Sequence, residues 1–441
     1  MAQFFTAKTK KKNLISAKMT LNVTQLDHIG AGIAHHQGKI VFVPGALPGE
    51  DVNLQLVEQR KNFAKAKLIN VVNPSEHREV PACPHFDECG GCDLQHLNLE
   101  AQHQYKSDTL SNLMAQHAPL EKVSKSTLTG EAWHYRRRAK LATSYNKQTK
   151  RLNIGFRKIS SHDIVPINEC PVLKHSLNAL INPLVKQVNK LKDRKTLGHI
   201  ELIEGSNGVF VIIRTPVSIC DSDKQALVDF AHANQVNLQL QHENEFEVLA
   251  GLQLKPSYTL SQEVNLKFQA GGFVQVNTEI NQAMINQAIN WLEPEEHERV
   301  LDLFCGMGNF SLPIAKLGTY VIGVEGVDSS VEQARINAQE NDLKNVEFHA
   351  CDLSSDLSAQ PWLRKIDKLL LDPARAGAYD CLKRLKELNP KRVVYVSCSP
   401  TSLARDTSIL LSYGYQLQKL SMIDMFPQTH HTEAMALFVK K

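Results

Sequence analysis

The sequence lacks the features of a membrane-spanning, secreted or disulfide-held protein. No apolar stretch approaches the roughly 20 residues that a membrane helix needs, and the basic N-terminus has no apolar segment of the signal-peptide kind. We therefore expect a cytoplasmic location and no membrane partner. The 9 cysteines among 441 residues are unevenly spaced and do not form a disulfide framework. In a reducing compartment they are expected to be thiols or metal ligands.

Low-complexity tracts and a strong net charge are also missing. A composition with 42% hydrophobic residues and a net charge of +4 is typical of globular proteins, and 441 residues predict two or three domains. Basic residues cluster at Lys10–Lys12 and at Arg136–Arg138, the second beside Trp133, His134 and Tyr135. Basic groups among aromatic rings are typical of sites for phosphates and stacked bases, although a solvated face explains either cluster as well. No helix shows an apolar seam, so a monomer is expected.

Three segments differ in their hydrophobic pattern. Residues 12–74 contain short β-rich runs that predict a small barrel of the oligonucleotide-binding kind. Residues 75–270 hold a cysteine cluster, further strands and a polar helix near 102–118, and predict a central α+β domain. Residues 271–441 alternate strands and helices, which predicts a doubly wound α/β domain with a mainly parallel sheet. The helix near 102–118 could belong to either of the last two domains. The predicted strands are 19–26, 38–43, 51–58, 64–72, 208–214, 300–304, 320–325, 346–352, 368–372, 392–397 and 433–440, with helices at 328–341 and 401–411.

A glycine turn follows the strand predicted at 300–304. In Leu-Asp-Leu-Phe-Cys-Gly-Met-Gly-Asn-Phe (301–310) the glycines allow a sharp turn and the close approach of a ligand. The next strand ends in Glu325, where an acid can accept hydrogen bonds from ribose hydroxyls. The dinucleotide fingerprint Gly-x-Gly-x-x-Gly is broken by Ser311, which argues against NAD and favours S-adenosylmethionine. Asp352, at the end of the third strand, is placed to meet the adenine edge.

Two reactive side chains follow the fourth and fifth strands of this domain. Asp372 precedes Pro-Ala-Arg-Ala-Gly, and Cys398 ends the run Val-Val-Tyr-Val-Ser-Cys. Ligands of open parallel sheets bind at the carboxyl ends of the strands, so Cys398 is a candidate nucleophile. Each residue also has a structural interpretation, Asp372 as a helix N-cap and Cys398 as a small packed thiol.

A second cysteine pattern precedes this domain. Cys83, Cys89 and Cys92 are clustered, and Cys170 stands alone before a proline. Four thiolates in this arrangement suit an iron–sulfur cluster, while zinc, which more often takes two close pairs, remains an alternative. The other cysteines are expected to serve packing only: Cys220, Cys305, Cys351 and Cys381.

The last segment resembles the RNA uracil-5 methyltransferases that use S-adenosylmethionine. The resemblance rests on four motifs: 301–310, Asp-Pro-Ala-Arg-Ala-Gly (372–377), Val-Ser-Cys-Ser-Pro-Thr-Ser-Leu-Ala-Arg-Asp (396–406) and Asp-Met-Phe-Pro-Gln-Thr-His-His-Thr-Glu (424–433). The sequence departs from the family twice, with Ser399 where asparagine is usual and Ala374 where a second proline is common.

The resemblance implies a mechanism and a set of site residues. Cys398 matches the nucleophile that adds to carbon 6 of uracil, and Glu433 matches the general base. The strand that Glu433 opens should lie antiparallel beside the fifth strand and so adjoin Cys398. The target base must be unpaired or flipped out. The positions that match the family's cofactor site are Gln275, Phe304, Asn309, Glu325, Asp352 and Asp372.

The N-terminal segment resembles the TRAM domain, a small RNA-binding barrel, through the motifs at 30–34 and 42–50. A TRAM domain together with the cysteine cluster points to the bacterial subfamily that methylates 23S ribosomal RNA. That resemblance implies a [4Fe–4S] cluster on Cys83, Cys89, Cys92 and Cys170, a 23S ribosomal RNA substrate and no DNA partner. The alternatives are a transfer RNA substrate and a non-catalytic iron–sulfur RNA-binding protein. An oxidoreductase is disfavoured by the incomplete glycine fingerprint.

Overall fold

The computed structural model describes residues 18–243, 245–251, 255–355, 357, 360, 362–363, 365–384 and 388–440. These residues form two compact units. The first contains the described part of Met1–Pro81 with Cys92–Tyr105 and Gln428–His430, and the second contains Ala82–Gly91, Lys106–Pro427 and the described part of His431–Lys441. No helix in the described ranges is long and apolar enough to cross a membrane. The basic run at Lys10–Lys12 lies outside the described residues.

The N-terminal barrel closes in the strand order β1-β2-β3-β5-β4. Its core is small and made of valine, alanine and leucine side chains such as Val23, Val41 and Leu54. Four strands were predicted within one or two residues of their bounds, but β2 was missed because its glycine and two histidines give no apolar alternation. The strands are β1 (Met19–Leu26), β2 (Gly32–His36), β3 (Lys39–Val43), β4 (Asp51–Gln59) and β5 (Phe63–Asn73).

A central α+β region follows the barrel. The elements up to its last hairpin are α1 (Leu99–Ala115), β6 (Ser124–Leu128), β7 (Arg138–Asn146), β8 (Arg151–Arg157), β9 (Ile164–Pro166), α2 (His175–Val188), a 3-10 turn (Arg194–Thr196), β10 (Ile200–Gly205), β11 (Gly208–Arg214), α3 (Asp221–Asn234), β12 (Asn237–His242), β13 (Glu245–Ala250), β14 (Ser257–Thr259) and β15 (Asn265–Lys267). Among the described residues, seven strands form one sheet in the order β13-β12-β11-β10-β7-β8-β9. Helices α2 and α3 cover one face of this sheet. Its other face sends Ile203, Phe210 and Ile212 into the core of the following domain.

The C-terminal domain is built on an eight-stranded sheet, counted over the described ranges, in the order β18-β17-β16-β19-β20-β22-β21-β6. Strands β16 to β20 are parallel, and β22 runs antiparallel to both β20 and β21. The parallel strands and the last strand confirm the prediction from the sequence within two residues. The elements are α4 (Thr278–Leu292), β16 (Arg299–Leu303), α5 (Ser311–Ala315), β17 (Tyr320–Glu325), α6 (Asp328–Glu340), β18 (Val346–Ala350), β19 (Lys368–Leu371), α7 (Tyr379–Arg384), β20 (Arg392–Ser397), α8 (Pro400–Ser412), β21 (Tyr415–Ile423) and β22 (Glu433–Lys440).

Two earlier elements of the chain contribute to this domain. Strand β6 pairs in parallel with β21, although its residues lie inside the segment 75–270. Leu110 and Met114 of α1 belong to the same buried cluster as Leu301 and Tyr395 of the large sheet. The second half of α1 therefore packs on the C-terminal sheet, because its apolar residues recur at the spacing of one helix face.

Candidate active site

The turn after β16 requires left-handed backbone at three positions. Phe304, Gly306 and Gly308 have φ angles of 65°, 55° and 94°. A Cβ atom on Gly308 would lie 2.9 Å from Cγ of Leu312, so this glycine allows the turn to pack against α5. A Cβ atom on Gly306 would have no atom within 4 Å. The backbone at Gly306 thus faces open space, as a ligand-binding turn requires.

Two acids stand at the ends of the neighbouring strands β17 and β18. The Glu325 carboxylate accepts hydrogen bonds from the backbone amides of Gly306 (3.2 Å) and Val327 (3.0 Å). The Asp352 carboxylate accepts from the amide and the hydroxyl of Ser354, at 2.9 and 2.7 Å. Both carboxylates are held by local donors at the carboxyl edge of the sheet, beside the glycine turn.

Gln275 and Asn309 are connected through one buried network. Oδ1 of Asn309 accepts from the Tyr258 hydroxyl (2.8 Å) and from the Asn281 amide (3.1 Å), and its own amide donates back to Asn281 (2.9 Å). The Arg137 guanidinium lies 4.0 Å from the centroid of the Tyr258 ring and donates from Nε to the carbonyl of Gln275 (3.0 Å). The side chain of Asn309 is thereby committed to protein partners, and Gln275 is fixed through its backbone.

The basic segment that includes Arg137 is internal. Arg137 is only 2% exposed, and Arg138 pairs with Glu201 and donates to the carbonyl of Gly272. These contacts hold the segment that carries Gln275. The interpretation of Arg137 and Arg138 as a solvated face or a phosphate site is therefore wrong. No local pattern in the sequence indicates this network, because the acceptors of Arg138 lie more than sixty residues further along the chain.

The loop that begins at Asp372 is held by α8. The buried carboxylate of Asp406 accepts from the Tyr395 hydroxyl and from the amide of Ala378, both at 2.7 Å. The hydroxyl of Ser402 donates to the carbonyl of Arg375 at 2.6 Å. Asp372 itself follows β19 directly, at the same sheet edge as the glycine turn.

Cys398 and Glu433 come from adjacent antiparallel strands. Ser397, the last residue of β20, is paired with Ala434 of β22. Cys398 and Glu433 are the next residues of the two strands, towards the same edge of the sheet. Cys398 is exposed, whereas Glu433 is buried. The predicted neighbourhood of these two strand ends is therefore present in the structure.

The reacting groups influence one another electrostatically. Burial, reinforced by the charge of Asp372, raises the pKa of Glu433 to about 8. Burial and the charge of Glu325 raise the pKa of Asp372 to about 7. Although the Cys398 side chain is exposed, desolvation by its neighbours raises the pKa of its thiol, as do Glu433 and Asp372, while Arg375 lowers it. Such a site favours a cation next to the carboxylates.

Ser399 caps α8. Its hydroxyl accepts a hydrogen bond from the Ser402 amide at 3.3 Å, which is the usual contact of a helix N-cap. The departure from the family at this position therefore keeps a capping side chain directly after Cys398.

Three of the four cysteines predicted to bind a metal cluster lie in the second unit: Cys83, Cys89 and Cys170, each partly buried. The Gly91 amide donates to Sγ of Cys89 at 3.4 Å. Desolvation, together with the charge of Cys83, raises the pKa of the Cys89 thiol. Cys92 begins the segment Cys92–Tyr105 of the first unit.

The remaining cysteines only partly follow the packing prediction. Cys305 and Cys381 are buried, which confirms it, but Cys220 is exposed, so the prediction is wrong there. In the described part of the chain Cys220 forms a close group with Asp193 and Asp223. The Asp223 carboxylate accepts the amides of Lys192 (3.0 Å) and Asp193 (2.8 Å), so its place is explained by the turn it closes.

A parallel sheet with an antiparallel strand inserted near its edge, and a glycine turn followed by acids on the next two strands, defines a class I methyltransferase. The tRNA (Uracil-5-)-methyltransferase family matches residues 98–441, and the TRAM domain matches residues 15–69. The chain therefore belongs to the tRNA (uracil-5-)-methyltransferase family, and the resemblance seen in the sequence is confirmed.

Curated relatives match the chain from end to end. A protein of Shewanella sp. strain MR-7, named 23S rRNA (uracil(1939)-C(5))-methyltransferase RlmD, is 56% identical over 99% of both chains. The protein of that name from Shewanella woodyi is 55% identical over 99% of both chains. Among solved structures, the tRNA (uracil-54, C5)-methyltransferase of Pyrococcus abyssi in complex with S-adenosyl-L-homocysteine has a TM-score of 0.74. At 24% identity, covering 96% of this chain and 100% of that one, it shows the shared fold.

Proposed function

We propose that this chain methylates carbon 5 of a uracil in 23S ribosomal RNA, with S-adenosylmethionine as the methyl donor. The observation that carries the proposal is the meeting of Cys398 and Glu433 at one sheet edge, beside Asp372. The substrate is supported by the names of relatives that are 55–56% identical over nearly the whole chain. In those names the modified position is uracil 1939.

Cys398 is the nucleophile in this proposal. Its thiolate adds to carbon 6 of the uracil, and the electron pair of the carbon 5–carbon 6 double bond moves onto the carbonyl at carbon 4 as an enolate. Carbon 5 of that enolate takes the methyl group from the donor's sulfonium, whose carbon–sulfur bond breaks to leave a neutral thioether. Covalent catalysis is needed because carbon 5 of a free uracil is a weak nucleophile.

Glu433 completes the reaction as the general base. Its carboxylate removes the proton from carbon 5, the double bond forms again, and the carbon–sulfur bond to Cys398 breaks. A carboxyl with a pKa of about 8 is a stronger base than an ordinary glutamate, which suits removal of a carbon-bound proton. The carboxyl must be ionised to act, and the sulfonium cation that is bound until methyl transfer would favour that ionised form.

The donor site is proposed on the glycine turn and its neighbours. Open space above Gly306 leaves room for the donor, Glu325 is fixed for the ribose, and Asp352 lies at the next strand end for the adenine. The six proposed contact positions stay as predicted: Gln275, Phe304, Asn309, Glu325, Asp352 and Asp372. For Asn309 the contact is proposed through its backbone, since its side chain is committed within the protein.

A [4Fe–4S] cluster is proposed on Cys83, Cys89, Cys92 and Cys170. The donor set fits by its chemistry, because cysteine thiolates are the ligands that cluster iron takes, and all four predicted ligands are cysteines without a disulfide. The amide of Gly91 directed at Cys89 is of the kind that tunes cluster sulfurs. When bound, the cluster would shape the RNA-binding surface, since methyl transfer needs no electron.

RNA contact is assigned to the barrel at 12–74 and to the central segment 75–270, and the chemistry to 271–441. The TRAM match supports the first assignment. The target uracil must leave its stack to expose carbons 5 and 6 to the sheet edge. An activity on ribosomal RNA is consistent with the cytoplasmic location expected from the sequence.

The test is tritium release from 23S ribosomal RNA labelled at carbon 5 of uracil, with S-adenosylmethionine and purified protein. We expect release that requires the donor and equals the methyl groups transferred. Methyl transfer without tritium release would place the acceptor on another atom and overturn the roles of Cys398 and Glu433. Release from transfer RNA alone would keep the chemistry and replace the substrate.

A further inference from the structure

One face of α1 holds the loop that leads to Glu433. Lys106 is fully buried, and its Nζ donates to Oδ1 of Asp424 at 2.6 Å and to the carbonyl of Phe426 at 3.1 Å. Gln102, four residues earlier on α1 and thus on the same helix face, is 1% exposed. Both residues bind the segment between β21 and β22.

Gln102 both donates to and accepts from Gln428 in this segment. Its Nε2 donates to Oε1 of the Gln428 side chain at 3.1 Å, and its Oε1 accepts from the backbone amide of Gln428 at 3.0 Å. The same Nε2 also lies 2.7 Å from the carbonyl of Leu97. These hydrogen bonds restrict the position of Gln428 beside Gln102. A shift of Gln428 would leave buried polar atoms of Gln102 without partners, which is energetically costly.

The residues after Cys92 complete the hold on the loop. The carbonyl of Gln428 accepts from the amides of Asp93 (3.1 Å) and Leu94 (3.0 Å). The Asp93 carboxylate accepts from the amide of His430 at 2.8 Å and pairs with its ring. Lys106 thus binds the loop at Asp424 and Phe426. Gln102 and the backbone amides of residues 93 and 94 bind it at Gln428.

Glu433 follows this loop closely in the chain. It is the first residue of β22, three residues after His430. Among the described residues no amide or side chain donates a hydrogen bond to its carboxylate, so no partner of its own orients it. Its direction follows from the strand on one side and the path of the loop on the other.

We propose that Gln102 and Lys106 of α1 are positioning residues for the general base Glu433. The proposal rests on the function proposed above. Buried ion pairs are weak evidence for stability, and in this proposal the role of the Lys106–Asp424 pair and of the Gln102 hydrogen bonds is to specify one geometry. Here the geometry they specify is that of the loop from which Glu433 emerges.

The test separates the steps before and after proton removal. In RNA made with 5-fluorouracil, Cys398 can add to carbon 6 and the methyl group can be transferred to carbon 5. The reaction then stops at a covalent protein–RNA adduct, because carbon 5 carries fluorine instead of the proton that Glu433 removes. The rate of this adduct measures the chemistry without the base. Tritium release from ordinary labelled RNA measures the chemistry with it.

For Gln102→Ala we expect tritium release to fall by about 10-fold to 100-fold, since a misplaced base loses much of its contribution. The 5-fluorouracil adduct should form within about twofold of the wild-type rate. Gln116→Ala, the same substitution at an exposed residue directly after α1, is the matched control and should leave both rates unchanged. Equal losses in both assays, or no loss in either, would overturn the positioning role.

A second pair of variants guards against misfolding of Gln102→Ala. His430→Ala removes the ring contact to Asp93 from a partly exposed position, and His430→Asn restores a donor there. We expect slower tritium release in the first and recovery in the second, with unchanged adduct rates; a failure of Asn to restore release would contradict the proposal. If the wild-type protein forms no adduct with 5-fluorouracil RNA, the proposed function itself fails, whatever Gln102 does.

Discussion

The four acids of the active site fall into two pairs with opposite surroundings. Glu325 and Asp352, on the donor side, each accept two hydrogen bonds from local donors. Asp372 and Glu433, on the reacting side, accept none from the described residues, and burial raises their pKa values to about 7 and about 8. The acids proposed for donor binding are thus held in place by amides and hydroxyls, whereas burial of the two acids on the reacting side favours their neutral forms.

The largest effect expected on the reacting side comes from Cys398→Ala. Without the thiolate the enolate cannot form, so turnover should fall by at least about 10⁴-fold. Donor binding should survive, because the donor-side acids and the glycine turn are untouched. Equilibrium binding of S-adenosylmethionine beside tritium release checks both; an equal loss of binding would show that the two sides of the site are not separable.

Glu433→Gln should stop the reaction later. The amide cannot take the carbon 5 proton, so we expect release to fall by about 10²-fold to 10⁴-fold and a covalent protein–RNA adduct to accumulate. Denaturing gel electrophoresis would reveal the adduct, and Cys398→Ala serves as the adduct-free control. Free turnover of Glu433→Gln would remove this residue as the base.

The reacting-side acids also predict a pH-dependent preference for the charged donor. Their folded-state pKa values are raised above the ordinary ones, so the stability they contribute at low pH is lost as pH rises through about 7 and about 8. A sulfonium cation opposes that loss, whereas neutral S-adenosylhomocysteine does not. The difference in melting temperature between the two saturated complexes should therefore grow by about 2 °C between pH 6 and pH 9. A constant difference would mean that the cation does not sense these carboxyls.

Two glycines of the donor side should respond differently to alanine. Gly308→Ala brings a methyl group within 2.9 Å of Leu312 at a φ of 94°, and we expect it to lower the free energy of unfolding by about 2 kcal/mol. Gly306→Ala meets no protein atom, so its stability loss should be about 1 kcal/mol, while its KM for the donor rises. Denaturant unfolding and titration with the donor measure the two effects. An equal rise of the KM for the donor in Gly306→Ala and Gly308→Ala would contradict the role of Gly306 as the open, ligand-facing position.

The smallest expected effect concerns Ser399. Ser399→Ala removes the N-cap of α8 and should cost about 1 kcal/mol of unfolding free energy, whereas Ser399→Asn keeps a capping side chain and should be nearly neutral. Urea unfolding of both variants is the measurement. A larger loss of turnover than of stability in Ser399→Asn would show that the serine also acts on Cys398.

Local patterns predicted most of the C-terminal sheet because each parallel strand is a continuous apolar run ended by a polar or glycine residue. The neighbourhood of Cys398 and Glu433 followed from the antiparallel last strand, which the family resemblance supplied. The sequence could not predict that β6 pairs with β21 or that Arg137 is internal. Both depend on contacts between residues far apart in the chain, which leave no local periodicity.

Strand β22 lies between β20 and β21, although it follows both in the chain. It buries Met435 and Leu437 on one face of the sheet and Ala436 and Phe438 on the other. Its pairings with β20 and β21 close the sheet and complete the core on both faces. The same pairings place Glu433 beside the end of β20 that precedes Cys398. A molecule without them would keep the proposed nucleophile and lose the proposed base, so the core and the proposed catalytic pair depend on the same strand.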